Sequence, residues 1–439
     1  MATATLLKPL SAFLPWDAFA TIVSHADLDT LRTLSLVSRD SMLEAAPEVS
    51  NRFFFYVTSS TSADPLSAHR YMEAAAACLK SHSRRRHIKH VSMRLYASLG
   101  DGDDEENCPV VHKLFDNLFS ALRTLQGLER LDIDVLYHAS AVGRNLRDMW
   151  LADAVPCGLR RFQLMTYSPV VPLLREVFLG GPATSSRYLQ SLTLVNRLPS
   201  SILGTATSPE NGIVPLPPVQ ELRVSEPSIL LGVSLTQPEM LESLEIDWVR
   251  PNEIEMLRDV LLPPAILPLA STPEKSPSPN RVPLGPFIKS FTFSYAPQDE
   301  DASPVYSEII AHLLALQRLC ASHPPFPCSD SLLRATSSLA RLRSLHTYQL
   351  TVASDSLHKT GMPVSRQVLG CRAIQLAHVL SGIRSLRMIK LVCAGKKSSG
   401  LRLEVREDLD TNKGARDATT VKLARVTRCS AWSWEKGGA

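Results

Sequence analysis

The chain has 439 residues, 44% of them hydrophobic, which excludes a mainly disordered protein and suffices for two or three average domains or one extended array. The net charge of +4 falls far short of the clustered positive surface of a dedicated nucleic-acid binder. The eight cysteines are scattered without a Cys-x-x-Cys pair, no window approaches about 18 uninterrupted apolar residues, and no basic segment leads into an apolar run at the start; the expectation is reduced thiols, no membrane span and a soluble protein of the cytoplasm or nucleus.

Leu14-Pro15-Trp16-Asp17 opens the first predicted element. Proline is tolerated at or just before a first helical turn, and Asp17 puts negative charge at the positive end of the helix dipole. This helix runs to about Ser24, with Phe19, Ile22 and Val23 on one stripe. Asp27 and Asp29 are both candidate caps for a second helix, on which Leu28, Leu31, Leu34 and Val37 recur at three-residue spacing. Pro47 follows the run Val37-Ser38-Arg39 as a stop. A module of roughly forty residues lies near the lower limit for a self-sufficient core and needs a neighbour. Two readings fit these residues: a docking module for another polypeptide, or a helical hairpin packed onto its own chain.

Taken in this order, the residues from Leu14 to about Pro47 resemble an F-box. Leu14 and Pro15 match the family's opening pair, and Ile22, Leu31, Leu34 and Val37 its apolar positions. Two departures stand out: Ala26 replaces a larger aliphatic residue, and Asp40-Ser41-Met42 lacks the aromatic that commonly follows Val-Ser-Arg. The resemblance implies a three-helix F-box over 11–50 after a flexible 1–10. It implies binding of a Skp-type adaptor, and through it a cullin, by Leu14, Pro15, Ile22, Leu28, Leu31, Leu34 and Val37.

Arg52-Phe53-Phe54-Phe55-Tyr56-Val57 is a predicted strand, its aromatic and β-branched run being too dense for an exposed helix. Thereafter a short motif recurs: apolar, two residues, apolar, one residue, apolar. It reads Ile88/Val91/Met93, Leu128/Leu131/Ile133, Leu159/Phe162/Leu164, Leu189/Leu192/Leu194, Val219/Leu222/Val224, Leu241/Leu244/Ile246, Ile288/Phe291/Phe293 and Leu386/Ile389/Leu391, with Leu342/Leu345 as a weaker copy. Successive middle residues lie 40, 31, 30, 30, 22, 47, 54 and 44 residues apart. The last two apolar positions share one face of a strand, and the first turns in from the approaching loop. Burying three such side chains contributes about 5 to 9 kcal/mol, while ordering some thirty residues costs tens, so no copy stands alone. This resembles a leucine-rich-repeat core, and implies a solenoid of parallel strands filling 51–439. A non-repeat α/β domain with parallel strands is the other reading.

Between copies, Val111 to Leu125 and Ser307 to Leu319 carry leucines and isoleucines at helical spacing and are predicted amphipathic helices. Asp101 to Asn107 reads as an acidic solvated loop. Residues 263–286, with Ser276-Pro277-Ser278-Pro279, read as a proline-rich excursion, either plain linker or phosphorylation site. Trp432 and Trp434 alternate like one strand face, as a terminal cap or a partner anchor.

Motifs of bond chemistry are missing. Neither Gly-x-Ser-x-Gly nor Gly-x-Gly-x-x-Gly occurs, and Gly395-Lys396-Lys397-Ser398 lacks the upstream glycine of a phosphate loop. His312, Cys320, His323 and Cys328 are zinc-type residues at a non-standard spacing, and the expectation is no metal and no cofactor. Arg84-Arg85-Arg86-His87 precedes a strand, as a solvated entrance or a contact to phosphate or an acidic partner. The expected fold is α/β: a short N-terminal three-helix F-box followed by a leucine-rich-repeat-like solenoid with parallel strands. The resemblance implies a non-catalytic substrate receptor of a Skp-cullin-F-box ubiquitin ligase, binding a protein target and neither nucleic acid nor membrane. The alternative is an F-box scaffold or regulatory protein acting without target ubiquitination.

Overall fold

A computed structural model of the chain describes residues 52–59, 73–74, 76–80, 87–97, 120–137, 158–166, 170–175, 189–197, 213–263, 282–295, 304–323, 335–353, 385–394 and 399–404, with isolated positions elsewhere. The chain divides into two compact units, Met1–Gly204 and Thr205–Ala439. Both are α/β with parallel strands.

In the first unit β1 (Arg52–Ser59), β2 (His90–Ala97), β3 (Arg130–Tyr137), β4 (Arg161–Thr166) and β5 (Ser191–Asn196) lie side by side in chain order, every neighbouring pair parallel. The short helix α1 (Val170–Arg175) follows β4, and its first N–H is taken by the Asn196 side chain at 3.1 Å. Parallel neighbours require a crossover between strands, which the intervals of 23 residues or more supply. The predicted strand at Arg52–Val57 is β1.

In the second unit β6 (Val214–Leu216) and β8 (Val233–Leu235) form their own parallel pair. The main sheet runs β7 (Glu221–Val224), β9 (Ser243–Val249), β10 (Ser290–Tyr295), β11 (Arg318–His323), β12 (Thr347–Ala353) and β13 (Met388–Ala394), all parallel. It ends on β14 (Ser399–Glu404), antiparallel to β13. The helices α2 (Pro227–Leu231) and α3 (Ile254–Leu261) also belong to this unit.

Each motif residue faces its counterpart. Phe53, Val91, Leu131, Phe162 and Leu192 stand opposite one another across the first unit, as do Phe55, Met93, Ile133, Leu164 and Leu194. In the second unit Leu222, Leu244, Phe291, Leu319, Tyr348 and Ile389 form the matching row. The motif residues whose side chains are described are all buried. A one-residue slip would turn every one of them outward, so the register is fixed by burial.

Two copies are corrected. Leu316/Leu319/Ala321 was not expected and is β11 with its approach; the weaker copy at Leu342/Leu345 is shifted, the buried triad being Leu345/Tyr348/Leu350. Phe291, Leu319, Tyr348 and Ile389 then follow at 28, 29 and 41 residues. Ala321 is too small and Tyr348 too polar to signal a strand core in a search for aliphatics.

The approach to each strand explains the spacing of three. Leu125 donates its N–H to Leu122 O at 3.0 Å and Leu128 to Leu125 O at 3.3 Å; Leu313 donates to Ile310 O and Leu316 to Leu313 O, both at 3.0 Å; Ile383 donates to Leu380 O at 2.9 Å and Leu386 to Ile383 O at 3.1 Å. These are 3₁₀-type bonds, and three residues per turn bring every third side chain to one line facing the core. The amphipathic helix expected over Ser307–Leu319 is therefore corrected. A π turn (Val305–Ile309) and a 3₁₀ turn (Ile310–His312) lead into β11, and Leu314, which a 3.6-residue period would bury, is 65% exposed. Of the helix expected over Val111–Leu125, residues 117 and 120–123 are helical, with Leu122 buried and Leu125 already in the turn.

One further bond pattern repeats. The polar residue just before a strand accepts two consecutive N–H groups from the next copy: Lys89 O from Glu129 and Arg130, Glu129 O from Arg160 and Arg161, Arg160 O from Gln190 and Ser191, and likewise Glu242 O, Lys289 O, Gln317 O and His346 O. Near the proline-rich segment, Leu284 and Gly285 donate to Val260 O (3.2 Å) and Leu261 O (2.8 Å), satisfying the last carbonyls of α3. A Cβ on Gly285 would collide with Leu261 O and come within 2.8 Å of Leu313 Cδ2, so this return needs glycine.

Candidate interaction surface

The residues between the motif positions point away from the core and carry the polar chemistry. In the first unit they form an ion-pair cluster. Asp132 on β3 accepts from His90 Nε2 at 2.9 Å and from Arg130 Nε at 3.0 Å. Burial pushes the Asp132 carboxyl up, but the bonds and charges of His90 and Arg130 outweigh it and hold the group below its ordinary value of 3.8. Two residues on, the buried Asp134 takes a forked pair of bonds from Arg197, Nε–Oδ1 at 3.1 Å and Nη2–Oδ2 at 2.6 Å. Fork-to-carboxylate pairing of this kind is among the stronger side-chain contacts.

In the second unit Arg223 Nε contacts Asp247 at 2.9 Å and Glu245 at 3.4 Å across β7 and β9. The register slips by one residue between β9 and β10, pairing Ile246 with Phe293 but Val249 with Tyr295, and at this bulge Trp248 is 54% exposed. From β10 to β12 the outward positions are Ser290, Thr292, Ser294, Arg318, Cys320, Ser322, Thr347 and Gln349, with Arg318 as their one charged side chain. Beneath them Phe291 and Phe293 stack at 5.3 Å, Tyr306 meets Phe293 edge-on at 6.1 Å, and the buried Tyr306 and Tyr348 hydroxyls lie 3.1 Å apart. Burial pushes the Tyr348 hydroxyl up to about 12 and Tyr306 well above its ordinary 10.

Glu226 and Glu253 are buried acids of the second unit. Burial pushes Glu253 up, against the pull of the Arg250 N–H that it accepts at 2.9 Å to cap the turn before α3. A cavity of about 40 Å³ nearby is lined mainly by Leu222, Leu230, Val233, Leu235 and Leu284. It is far below the several hundred Å³ of a small-molecule site. Among the described residues no group of three or more His, Cys, Asp or Glu is arranged to hold a metal ion; Cys320 is a buried free thiol on β11, and Cys328 lies outside the described residues.

Of the residues expected to hold the adaptor, Leu31 is described: it is helical and 5% exposed, between the exposed Thr30 and Thr33. Leu14, Pro15, Ile22, Leu28, Leu34 and Val37 lie outside the described residues, as do the acidic run 101–107, Ser276–Pro279, Trp432 and Trp434. Sequence reasoning did not single out Asp132, Asp134 or Arg197. Alternating charges on β3 are the one trace of the cluster, and Arg197, 63 positions from Asp134, leaves none.

Among the described residues no helix is long and apolar enough to cross a membrane. Compared with protein-family models and with curated proteins, the chain matches none.

Proposed function

We propose that the chain is the substrate-receptor subunit of a Skp-cullin-F-box ubiquitin ligase, with residues 11–50 as a three-helix F-box and the strand array as a leucine-rich-repeat-like solenoid that presents a protein target. The observation that carries the reading is the N-terminal pattern from Leu14-Pro15 to Val37-Ser38-Arg39. The parallel, in-register stacking of one motif across each unit supports the second half, since such stacking leaves a polar strand face open along its length. The work assigned to the chain is proximity: holding a target lysine near an activated carrier raises effective concentration without any bond chemistry by the receptor.

The test is co-purification of the full chain with a Skp-type adaptor. Wild type is expected to retain the adaptor, and Leu31→Ala combined with Val37→Ala to release it, two aliphatic truncations costing about 4 to 8 kcal/mol where both pack at a contact. Since Leu31 is buried, circular dichroism of the variant must retain the strand signal. Adaptor binding that survives the double substitution, or is missing from wild type, removes the assignment.

A further inference from the structure

The strand register of the first unit sets basic residues directly side by side. Arg52 of β1 is opposite His90 of β2, His90 opposite Arg130 of β3, and Arg130 opposite Arg161 of β4. Neighbouring strands lie about 4.8 Å apart, so this row of four spans about 14 Å at the strand entrances. Arg161 is exposed and Arg130 partly so, and the exposed Arg160 adjoins the row. Like charges placed directly opposite each other weaken a sheet. Asp132 compensates His90 and Arg130, but among the described residues neither Arg160 nor Arg161 has an acidic partner.

We propose that this row docks an acidic, extended segment of a partner protein. The proposal goes beyond the adaptor reading and holds independently of it. Carboxylates brought to Arg160 and Arg161 relieve the repulsion that the register builds in, which is charge complementarity without a pocket. A polypeptide suits the row better than a nucleic acid. Asp132 stands within it and Glu129, paired to Lys89 at 3.5 Å, stands at its rim, and an unbroken phosphate backbone would meet both. An extended peptide presents same-side carboxylates about 6 to 7 Å apart and can place them on the arginines alone. The same motif position in the second unit is the control: Arg318 is exposed but flanked by Ser290 and Thr347, so no row forms.

The experiment is fluorescence anisotropy with the full chain and three labelled probes: a twelve-residue Glu/Ser peptide, its Gln/Ser counterpart, and an oligothymidylate of matching charge. The acidic peptide is expected to bind, weakening as salt rises, and the Gln/Ser peptide not to bind. Arg161→Glu should lower affinity about tenfold or more, Arg161→Gln less, and Arg318→Glu less than about twofold. Arg161→Glu removes a like-charge neighbour, so its melting temperature should equal or exceed that of wild type; if it fails to fold, Arg161→Gln carries the test. No binding of the acidic peptide, equal binding of the Gln/Ser peptide, or equal loss with Arg318→Glu overturns the proposal. Tighter binding of the oligothymidylate overturns it in favour of a nucleic-acid face.

Discussion

The strand faces of β2–β4 and of β10–β12 are built on the same buried motif and differ in charge, dense and paired on the first and sparse on the second. The first shows His90, Arg130, Asp132, Asp134 and Arg161; the second shows a single arginine, Arg318, among serine, threonine, glutamine and one cysteine. Because the inward residues stand in the same register in both, the outward ones are not needed to define the fold. The division follows from a period of two: one set of side chains makes the core and the other is left free to vary.

The comparison is broken most sharply by truncating the shared core. Leu131→Ala in the first unit and Leu319→Ala in the second each remove a fully buried side chain and should each cost about 2 to 5 kcal/mol in denaturant unfolding. A cost well under 1 kcal/mol in either would show that the motif is not structural there. Arg197→Met, which takes the forked partner from a buried carboxylate, should cost about 3 kcal/mol, and this loss should hardly change with salt. Gly285→Ala should cost about 1 to 3 kcal/mol, because the added methyl meets a backbone carbonyl that cannot move aside.

Extremes of pH sharpen the contrast. Asp132 sits below 3.8 in the fold, so its stabilising contribution is present above that value and lost as pH falls through the lowered one; Asp132→Asn should flatten acid sensitivity. The Tyr306–Tyr348 pair acts at the other end. Its hydroxyls are raised above 10, so the contribution is complete below 10 and fades as pH climbs toward about 12; Tyr348→Phe should remove much of that alkaline loss, as read by absorbance titration and unfolding. The smallest effect belongs to Arg223→Ala, whose contacts with Glu245 and Asp247 are partly exposed and worth under about 1 kcal/mol.

The motif made β2, β3, β4, β5, β7, β9, β10 and β13 legible, because three aliphatic or aromatic residues at fixed spacing leave a trace in the chain itself. Ala321 and Tyr348 hid β11 and β12, and the 3.6-residue period was the wrong ruler for Ser307–Leu319, where backbone bonds run at three. The candidate surface was barely legible. Asp134 and Arg197 meet across 63 residues, and the Arg52–His90–Arg130–Arg161 row exists only once four strands are in register.

The most direct measurement of the account is light scattering after gel filtration of the full chain mixed with a Skp-type adaptor. A one-to-one complex that persists through the column is the predicted result. Separate elution of the two proteins at micromolar concentration would contradict it.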